Sequence, residues 1–124
     1  MSVLPSKCRK YLTDAEVAFD EVTSPQKAII LRAYPVPVGR FDHDKADILI
    51  LLPDGYPDVR PDMFYALPWL KLRNGRYAHR ADQPFDFSGQ RWQRWSRHQE
   101  QWRPGIDGIW TMLRRIDTAL SEAA

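Results

Sequence analysis

The sequence predicts an α+β domain in which roughly four antiparallel strands come first and an amphipathic helix follows them. Two observations predict this class. A nearly uninterrupted apolar run at residues 48–52 is typical of a central strand covered on both faces. Near the end of the chain, apolar residues instead recur at the spacing of one helical face, after all the strand-like segments.

Four segments carry strand signals, and residues 6–13 before them are expected to form a short helix or an ordered lead-in. The first segment nearly alternates apolar and charged side chains, as in a half-buried strand. The second is more apolar and ends before Pro35, because proline cannot donate to a sheet ladder. An antiparallel meander is the economical arrangement of these segments. Their ranges are 17–22, 27–34, 46–53 and 63–65.

The predicted final helix should cover one face of the sheet with its apolar stripe. Pro104 is acceptable in its first turn, where the missing amide proton would have no partner anyway. The stripe consists of Ile106, Ile109, Trp110, Leu113, Ile116 and Leu120.

Length and composition predict a single compact domain over residues 1–124. A chain of 124 residues with 44% hydrophobic content can bury one core without disulfides. Without a secretory signal or a long apolar run, the expected location is the cytoplasm. Cys8 is the only cysteine and is expected to be a small buried hydrophobe. His43 and His79 lack partners at metal-ligand spacing, so neither a metal nor a cofactor is predicted.

Residues 70–103 lose periodicity and are rich in tryptophan and arginine. A connection of over about thirty residues is too long to be ordinary, so this segment is predicted to be irregular and functional. Its basic residues far outnumber its acidic ones, Asp82, Asp86 and Glu100. We therefore expect one positive face that could attract an acidic partner.

Alternating tryptophans and arginines in this segment allow three interpretations. They could form a satellite core in which arginines stack on indoles. They could form a protein interface, since both residue types are enriched in binding hot spots. A single-stranded nucleic-acid platform uses the same ingredients, but the net charge of +2 does not favour it. The candidate partner-binding residues are Arg91, Trp92, Arg94, Trp95 and Arg97.

Two motifs carry a resemblance to a known family. The stretch LPDGYPDVRPDMFY resembles the strand-to-turn signature of ubiquitin-conjugating enzymes, in which a Tyr-Pro pair precedes further prolines and a short strand. The stretch QWRPGIDGIWTMLRRIDTAL is similar to the segment that opens the helix after their active site. Together with LPSKCRKYL and WQRWSRH, these motifs make the chain resemble a bacterial branch of the ubiquitin-conjugating-enzyme-like (UBC) fold, over nearly its whole length.

The resemblance implies a UBC-like fold in which the matched positions are mainly structural. Those positions are Tyr56, Pro57, Pro61, Trp102 and Pro104. It also implies an adenylating (ThiF-like) activating enzyme, a ubiquitin-like modifier protein and a deconjugating metalloprotease as partners. The lack of a long apolar run predicts no membrane partner.

The sequence departs from the catalytic members of this family at the nucleophile. Those members carry a cysteine shortly before the Gln-Trp pair, but no cysteine precedes Gln101 and Trp102 in this segment. A thiol is intrinsically nucleophilic, whereas a serine hydroxyl needs an adjacent base. Ser96, Ser88 and His98 are the candidate catalytic residues for such a hydroxyl route. Ser96 and His98 are expected to lie near each other, because positions two apart in an extended chain share a face. The alternative is that both serines are ordinary loop residues and that His98 is a hydrogen-bonded surface or core group.

Asn74 allows two interpretations. It could be a remnant of the asparagine that stabilises the oxyanion in catalytic family members. Alternatively, Asn74 and Gly75 could form a type I′ hairpin turn, because both residue types tolerate a positive φ.

The predicted function is that of a UBC-like component of a bacterial ubiquitin-like conjugation pathway. It could be a transferase without a cysteine nucleophile, using an oxyester, or a non-catalytic partner that positions the modifier. The alternative is an interaction module, of the RWD or inactive-variant type, that acts outside any conjugation pathway.

Overall fold

The computed structural model describes residues 4–98 and 101–124, so Glu100 and the first three residues, considered above, lie outside the described residues. The described residues form an α+β fold, which confirms the predicted class. Its elements are α1 (Ser6–Asp14), β1 (Phe19–Val22), β2 (Ala28–Pro35), β3 (Lys45–Leu51), β4 (Phe64–Leu67), β5 (Gln83–Phe87), β6 (Gln90–Trp95) and α2 (Ile109–Ser121).

All paired strands are antiparallel, in the order β1-β2-β3-β4-β6-β5. The first four follow one another as the sequence predicted, but the sheet has six strands, so a four-stranded sheet is not confirmed. The prediction of irregular structure throughout residues 70–103 is wrong, because β5 and β6 form a hairpin there. Ser88 and Gly89 connect them with φ values of 51° and 80°, which is the sign pattern of a type I′ turn.

Both helices pack on the same face of the sheet. The side chains of Cys8 and Leu12 from α1 and of Ile109 and Ile116 from α2 belong to one buried cluster with that face. The face includes Ile29, Leu31, Ile48, Ile50, Phe64 and Trp95. A second cluster lies on the other face, and its buried members are Ala28, Ile30, Leu49, Tyr65, Phe87 and Trp92. Successive side chains of a strand point to opposite faces of the sheet, so the apolar residues of each strand divide between the two clusters.

Helix α2 begins at Ile109, which is later than predicted. Pro104 lies in a turn before the helix instead of in its first turn, and Ile106 is 57% exposed and is not part of the apolar stripe. The remainder of the predicted stripe is confirmed, since Ile109 and Leu113 are buried and Trp110 is half-buried. Ile116 and Leu120 are buried as well.

The buried amide of Gln93 fixes the chain between β4 and β5. Its Oε1 accepts from Leu70 N at 2.7 Å, and its Nε2 donates to the carbonyl oxygens of Leu70 at 3.0 Å and Ala81 at 2.7 Å. Trp95 Nε1 also donates to Gln93 Oε1, at 3.1 Å. Because every polar atom of this amide has a partner, a polar residue can lie in the core.

Residues 72–76 form a tight turn within this connection. Gly75 has φ of 85°, its amide donates to Leu72 O at 2.8 Å, and Leu72 N donates to Arg76 O at 2.8 Å. Asn74 is not among the described residues with positive φ, so the predicted type I′ geometry is wrong, although a turn is present. A three-residue loop that ends in a left-handed glycine accounts for this pattern.

Within the described residues, no helix is both long and apolar enough to cross a bilayer. No group of three or more histidine, cysteine, aspartate or glutamate side chains in the same ranges could hold a metal ion.

Candidate functional site

A groove of about 1000 Å³ lies between α2 and the segment that follows β6. Arg115 Nη2 donates to Gln101 O at 2.6 Å, and Arg103 pairs with Asp107 at 3.1 Å, so this segment runs beside the helix. Asp62 and His98 are part of the lining. The groove is therefore bordered by elements that are far apart in sequence.

The Tyr-Pro turn supports one wall of the groove. Trp102 Nε1 donates to Pro57 O at 2.8 Å, which joins the two motifs on which the family resemblance depends. Tyr56 Oη lies 3.2 Å from Cys8 Sγ, and burial raises the pKa of the Tyr56 hydroxyl. Pro61 is buried beside the start of β4. Four of the five predicted motif residues are thus buried or half-buried. The fifth, Pro104, is exposed in the turn before α2.

Cys8 is 1% exposed and is not part of the groove lining, as expected for a small buried hydrophobe. A thiol in that position cannot reach a substrate in the groove without local unfolding.

Ser96, His98 and Asp62 form a hydrogen-bonded chain, and of these three residues His98 and Asp62 line the groove. Ser96 Oγ lies 3.2 Å from His98 Nε2, and His98 Nδ1 lies 2.6 Å from Asp62 Oδ1. Ser96 follows directly after β6, and its amide donates to Arg80 O at 3.0 Å. Asp62 comes just before β4, which pairs with β6 and so brings the carboxylate to the imidazole.

The partners of the imidazole determine its tautomer. An ionised carboxylate can only accept, so Nδ1 of His98 carries the proton that faces Asp62. In the neutral imidazole Nε2 then carries no proton and can accept the proton of the Ser96 hydroxyl. This order of groups is the one by which serine hydrolases activate their nucleophile. The side chains of His98 and Asp62 are 47% and 57% exposed, so the array is open to solvent and to large substrates.

Ser88 is far from this array. It occupies the hairpin turn between β5 and β6, whereas Ser96 follows the other end of β6. At ~3.3 Å per residue, the two hydroxyls are roughly 20 Å apart, so they cannot act in the same site. The structure therefore brings together Ser96 and His98 but not Ser88.

Trp92 and Trp95 are each 0% exposed and lie on opposite faces of the sheet. Their prediction as contact residues for a partner is therefore wrong for this conformation, because both indoles are in the core. Arg97 lies over the Trp95 ring at 5.1 Å, as the satellite-core interpretation predicted. Arg91 is exposed and pairs with Asp86 at 3.0 Å, and Arg94 is half-buried beside Tyr65.

Asp62 is a candidate site residue that sequence reasoning missed. It lies 36 positions before His98, a separation that carries no recognisable spacing. Only the pairing of β4 with β6 places the two side chains together. The sequence offered one signal for Asp62, which is a carboxylate just before a short strand in the Tyr-Pro motif.

A second polar cluster orders the start of α2. Asp107 Oδ2 accepts from Arg103 N at 2.7 Å, and its Oδ1 accepts from the Thr111 hydroxyl at 3.0 Å. The side-chain hydrogen bond from Arg103 is the main cause that lowers the pKa of Asp107 to about 2. Arg103, Asp107 and Thr111 all line the groove.

The model of one protein family matches residues 4–123, and that family is described as prokaryotic E2 family E. No curated protein and no solved structure matches the chain. The matched region includes both motifs that suggested the resemblance and the Ser96–His98–Asp62 chain. This chain belongs to prokaryotic E2 family E.

Proposed function

We propose that the protein is an acyl carrier in a bacterial ubiquitin-like conjugation system and that Ser96 accepts the modifier as an oxyester. The observation that carries the proposal is the chain of hydrogen bonds from Ser96 through His98 to Asp62. It occurs in the segment where the catalytic relatives have their cysteine. An activating enzyme and a ubiquitin-like protein are the partners that this role requires.

In the first step, Ser96 Oγ attacks the activated carbonyl carbon at the modifier's C-terminus, while its proton passes to His98 Nε2. The bond from that carbon to the leaving thiolate or phosphate breaks, and the leaving group takes the proton from the imidazolium. Asp62 stabilises the positive charge on the ring during this exchange. In the second step, an amine nitrogen attacks the ester carbon and passes a proton to His98 Nε2. The bond from that carbon to Ser96 Oγ breaks as the amide forms, and His98 returns the proton to Ser96 Oγ.

A small activated ester tests the nucleophile without knowledge of the natural modifier. With p-nitrophenyl acetate, we expect a burst of nitrophenolate and an acetyl group on Ser96, located by peptide mass spectrometry. Ser96→Ala should abolish the burst, and His98→Ala should slow it by about 10²–10⁴-fold because general-base help is lost. Ser88→Ala is the matched control and should behave as the unaltered protein does.

The physiological version uses the cognate activating enzyme, the modifier and ATP. The expected product is an adduct on Ser96 that hydroxylamine or base removes. If Ser96→Ala is acylated as fast as the unaltered protein in both assays, the hydroxyl route is rejected. Unchanged pathway activity in that variant would then favour a non-catalytic positioning role, and binding of partners without any modifier would favour an interaction module.

A further inference from the structure

The side chain of Arg94 lies close to the candidate nucleophile and is poorly satisfied there. Arg94 is in β6, and Ser96 follows directly after that strand. Side chains two positions apart in an extended chain share a face, and at ~3.3 Å per residue their Cα atoms are roughly 7 Å apart. Arg94 is half-buried, and its Nε atom is buried without a hydrogen-bond partner. Within the described residues, its guanidinium is in no ion pair either.

An arginine at this position is less favourable for folding than a lysine would be. A buried N–H group without an acceptor loses its hydrogen bond to water and gains none in return. Lysine has a methylene group where arginine has Nε, so it would supply the same positive charge without that loss. A need for positive charge therefore does not explain why residue 94 is an arginine.

Arginine replaces lysine throughout the half of the chain that carries the candidate site. Residues 1–71 include five lysines and four arginines, whereas residues 72–124 include nine arginines and no lysine. Of the described residues, four arginines line the groove and no lysine does. The surroundings of Ser96 thus contain cations but no side-chain amine.

Contacts in the structure explain some of these arginines. Arg97 and Arg115 lie over indole rings, on which a planar guanidinium stacks better than an ammonium. Arg103 holds Asp107 through two of its nitrogens, which a single ammonium cannot do in the same way. Neither kind of contact occurs at Arg94 within the described residues, so its identity needs a chemical reason.

The chemical difference between the two cations is that lysine can become a nucleophile near neutral pH. The reference pKa of its ammonium group is ~10.4, so roughly one lysine in a thousand is a neutral amine at about pH 7.4, whereas a guanidinium keeps its proton. An oxyester on Ser96 would react with a neutral amine in the second step of the proposed function. An amine roughly 7 Å away in the same chain would have a large kinetic advantage over one in another molecule.

We propose that Arg94 provides positive charge beside Ser96 in a form that cannot take the acyl group, so that the carrier does not modify itself next to its own ester. The inference rests on the proposed function, since it concerns the fate of the oxyester. It makes Arg94 a specificity-determining residue of the second step, in which the reacting amine is brought by another molecule.

Arg94→Lys would permit the step that the arginine prevents. The neutral ε-amine attacks the ester carbon on Ser96, and its nitrogen passes a proton to His98 Nε2. The bond from that carbon to Ser96 Oγ breaks as the amide forms, and His98 returns the proton to Ser96 Oγ. The acyl group is then an amide at position 94, and Ser96 can be acylated again.

Acetylation by p-nitrophenyl acetate, followed over time by peptide mass spectrometry, tests this inference. In the unaltered protein the acetyl group should stay on Ser96 until water removes it. In Arg94→Lys it should move to the introduced amine, and the lifetime of the ester should fall at least about tenfold. Arg91→Lys puts the same amine near the other end of β6, roughly 17 Å from Ser96 at ~3.3 Å per residue, and should leave that lifetime unchanged.

A double variant separates transfer from direct acetylation of the introduced amine. When Arg94→Lys is combined with Ser96→Ala, acetylation at position 94 should fall at least about tenfold, because the ester that donates the acetyl group is absent. Equal acetylation of position 94 with and without Ser96, an unchanged ester lifetime in Arg94→Lys, or an equal effect of Arg91→Lys would each overturn the inference.

Ser96→Cys distinguishes this inference from the proposed function, because a thiol is nucleophilic without an adjacent base. If Ser96 of the unaltered protein takes no acetyl group, the acyl-carrier role is rejected. Transfer from the thiol to the amine when Ser96→Cys is combined with Arg94→Lys, but not with Arg91→Lys, would then retain the inference that an amine at position 94 intercepts an acyl group at position 96. An ester on Ser96 that is equally long-lived in the unaltered protein and in Arg94→Lys would retain the acyl-carrier role and reject the inference.

Discussion

Single residues in this protein have roles that their neighbours in the sequence do not reveal. Gln93 lies between two arginine-tryptophan pairs, in a stretch that reads as polar and exposed, yet it is 0% exposed. Its amide joins β6 to the connection between β4 and β5 through bonds to Leu70 and Ala81. The array at Ser96 depends on this connection, because Ser96 N bonds to Arg80 O.

Replacing Gln93 with leucine should destabilise the protein by about 3–5 kcal/mol. The apolar side chain would leave buried partners of the amide, at Leu70, Ala81 and Trp95, without hydrogen bonds. Urea unfolding followed by tryptophan fluorescence measures the change. Gln90→Leu, at an exposed position of the same strand, is the control and should shift stability by no more than about 0.5 kcal/mol. Equal effects of both substitutions would show that the amide network contributes nothing.

The Ser96 array requires Asp62 even though its carboxylate is exposed. With Asp62→Asn, the amide can present either its oxygen or its NH₂ group to the ring, so the tautomer of His98 is no longer fixed. We expect the rate of Ser96 acylation by p-nitrophenyl acetate to fall at least about tenfold, with the fold unchanged by circular dichroism. Asp58→Asn, at another exposed position of the same proline-rich turn, should leave the rate unchanged. A rate for Asp62→Asn equal to that of the unaltered protein would remove Asp62 from the site.

At the scale of the elements, the start of α2 leaves no room for a side chain at Gly108. Gly108 precedes the helix, and a Cβ at this position would lie 2.7 Å from two atoms of the Trp110 indole. Gly108 has φ of −167°, which any residue adopts, so the constraint is steric. Thr111 Oγ1 accepts from Gly108 N at 3.2 Å, which fixes the backbone at this point.

Gly108→Ala should therefore cost about 1–3 kcal/mol, as overpacking does, and the cost should depend on Trp110. In a Trp110→Leu background the indole is absent, and we expect the same substitution to cost distinctly less. A double-mutant cycle of thermal unfolding measures this coupling. Identical costs in the two backgrounds would mean that the contact with the indole is not the cause.

Periodicity explains which elements could be predicted from the sequence. Helix α1, strands β1 to β4 and helix α2 carry apolar spacings that match their burial. The hairpin of β5 and β6 carries no such spacing, because its buried positions do not alternate with polar residues in the sequence. Trp92 and Trp95 face opposite sides of the sheet, and the residue between them that is most deeply buried is the polar Gln93. A hydrophobic pattern cannot reveal a strand whose buried positions include an amide.

At the scale of the whole molecule, the sequence predicted the contact of Ser96 with His98 but not the remainder of the candidate site. Ser96 and His98 are close in sequence, so extended geometry alone suggested their contact. The pairing of β4 with β6 brings Asp62 to His98. The packing of α2 beside the segment after β6 forms the arginine-lined groove. The two motifs that suggested the family contact each other through Trp102 and Pro57. These long-range pairings carry no local signal in one sequence.

Acid unfolding connects the groove to the stability of the whole molecule. The pKa of Asp107 is lowered from its ordinary value of 3.8 to about 2, first by the hydrogen bond from Arg103, so folding favours the ionised carboxylate. The contribution of Asp107 to stability is therefore complete above the unfolded value and is lost as the pH falls towards about 2. The free energy of unfolding of the unaltered protein should decrease over this interval.

Asp107→Asn should be less stable at neutral pH and should show a flatter dependence below pH 3.8, because the group that binds the proton has been removed. Urea unfolding at a series of pH values from neutral to about pH 2 measures both effects. Asp86→Asn, which removes an exposed ion pair on the β5–β6 hairpin, should keep the acid dependence of the unaltered protein. Parallel curves for Asp107→Asn and the unaltered protein would show that the Arg103–Asp107 cluster does not couple protonation to folding.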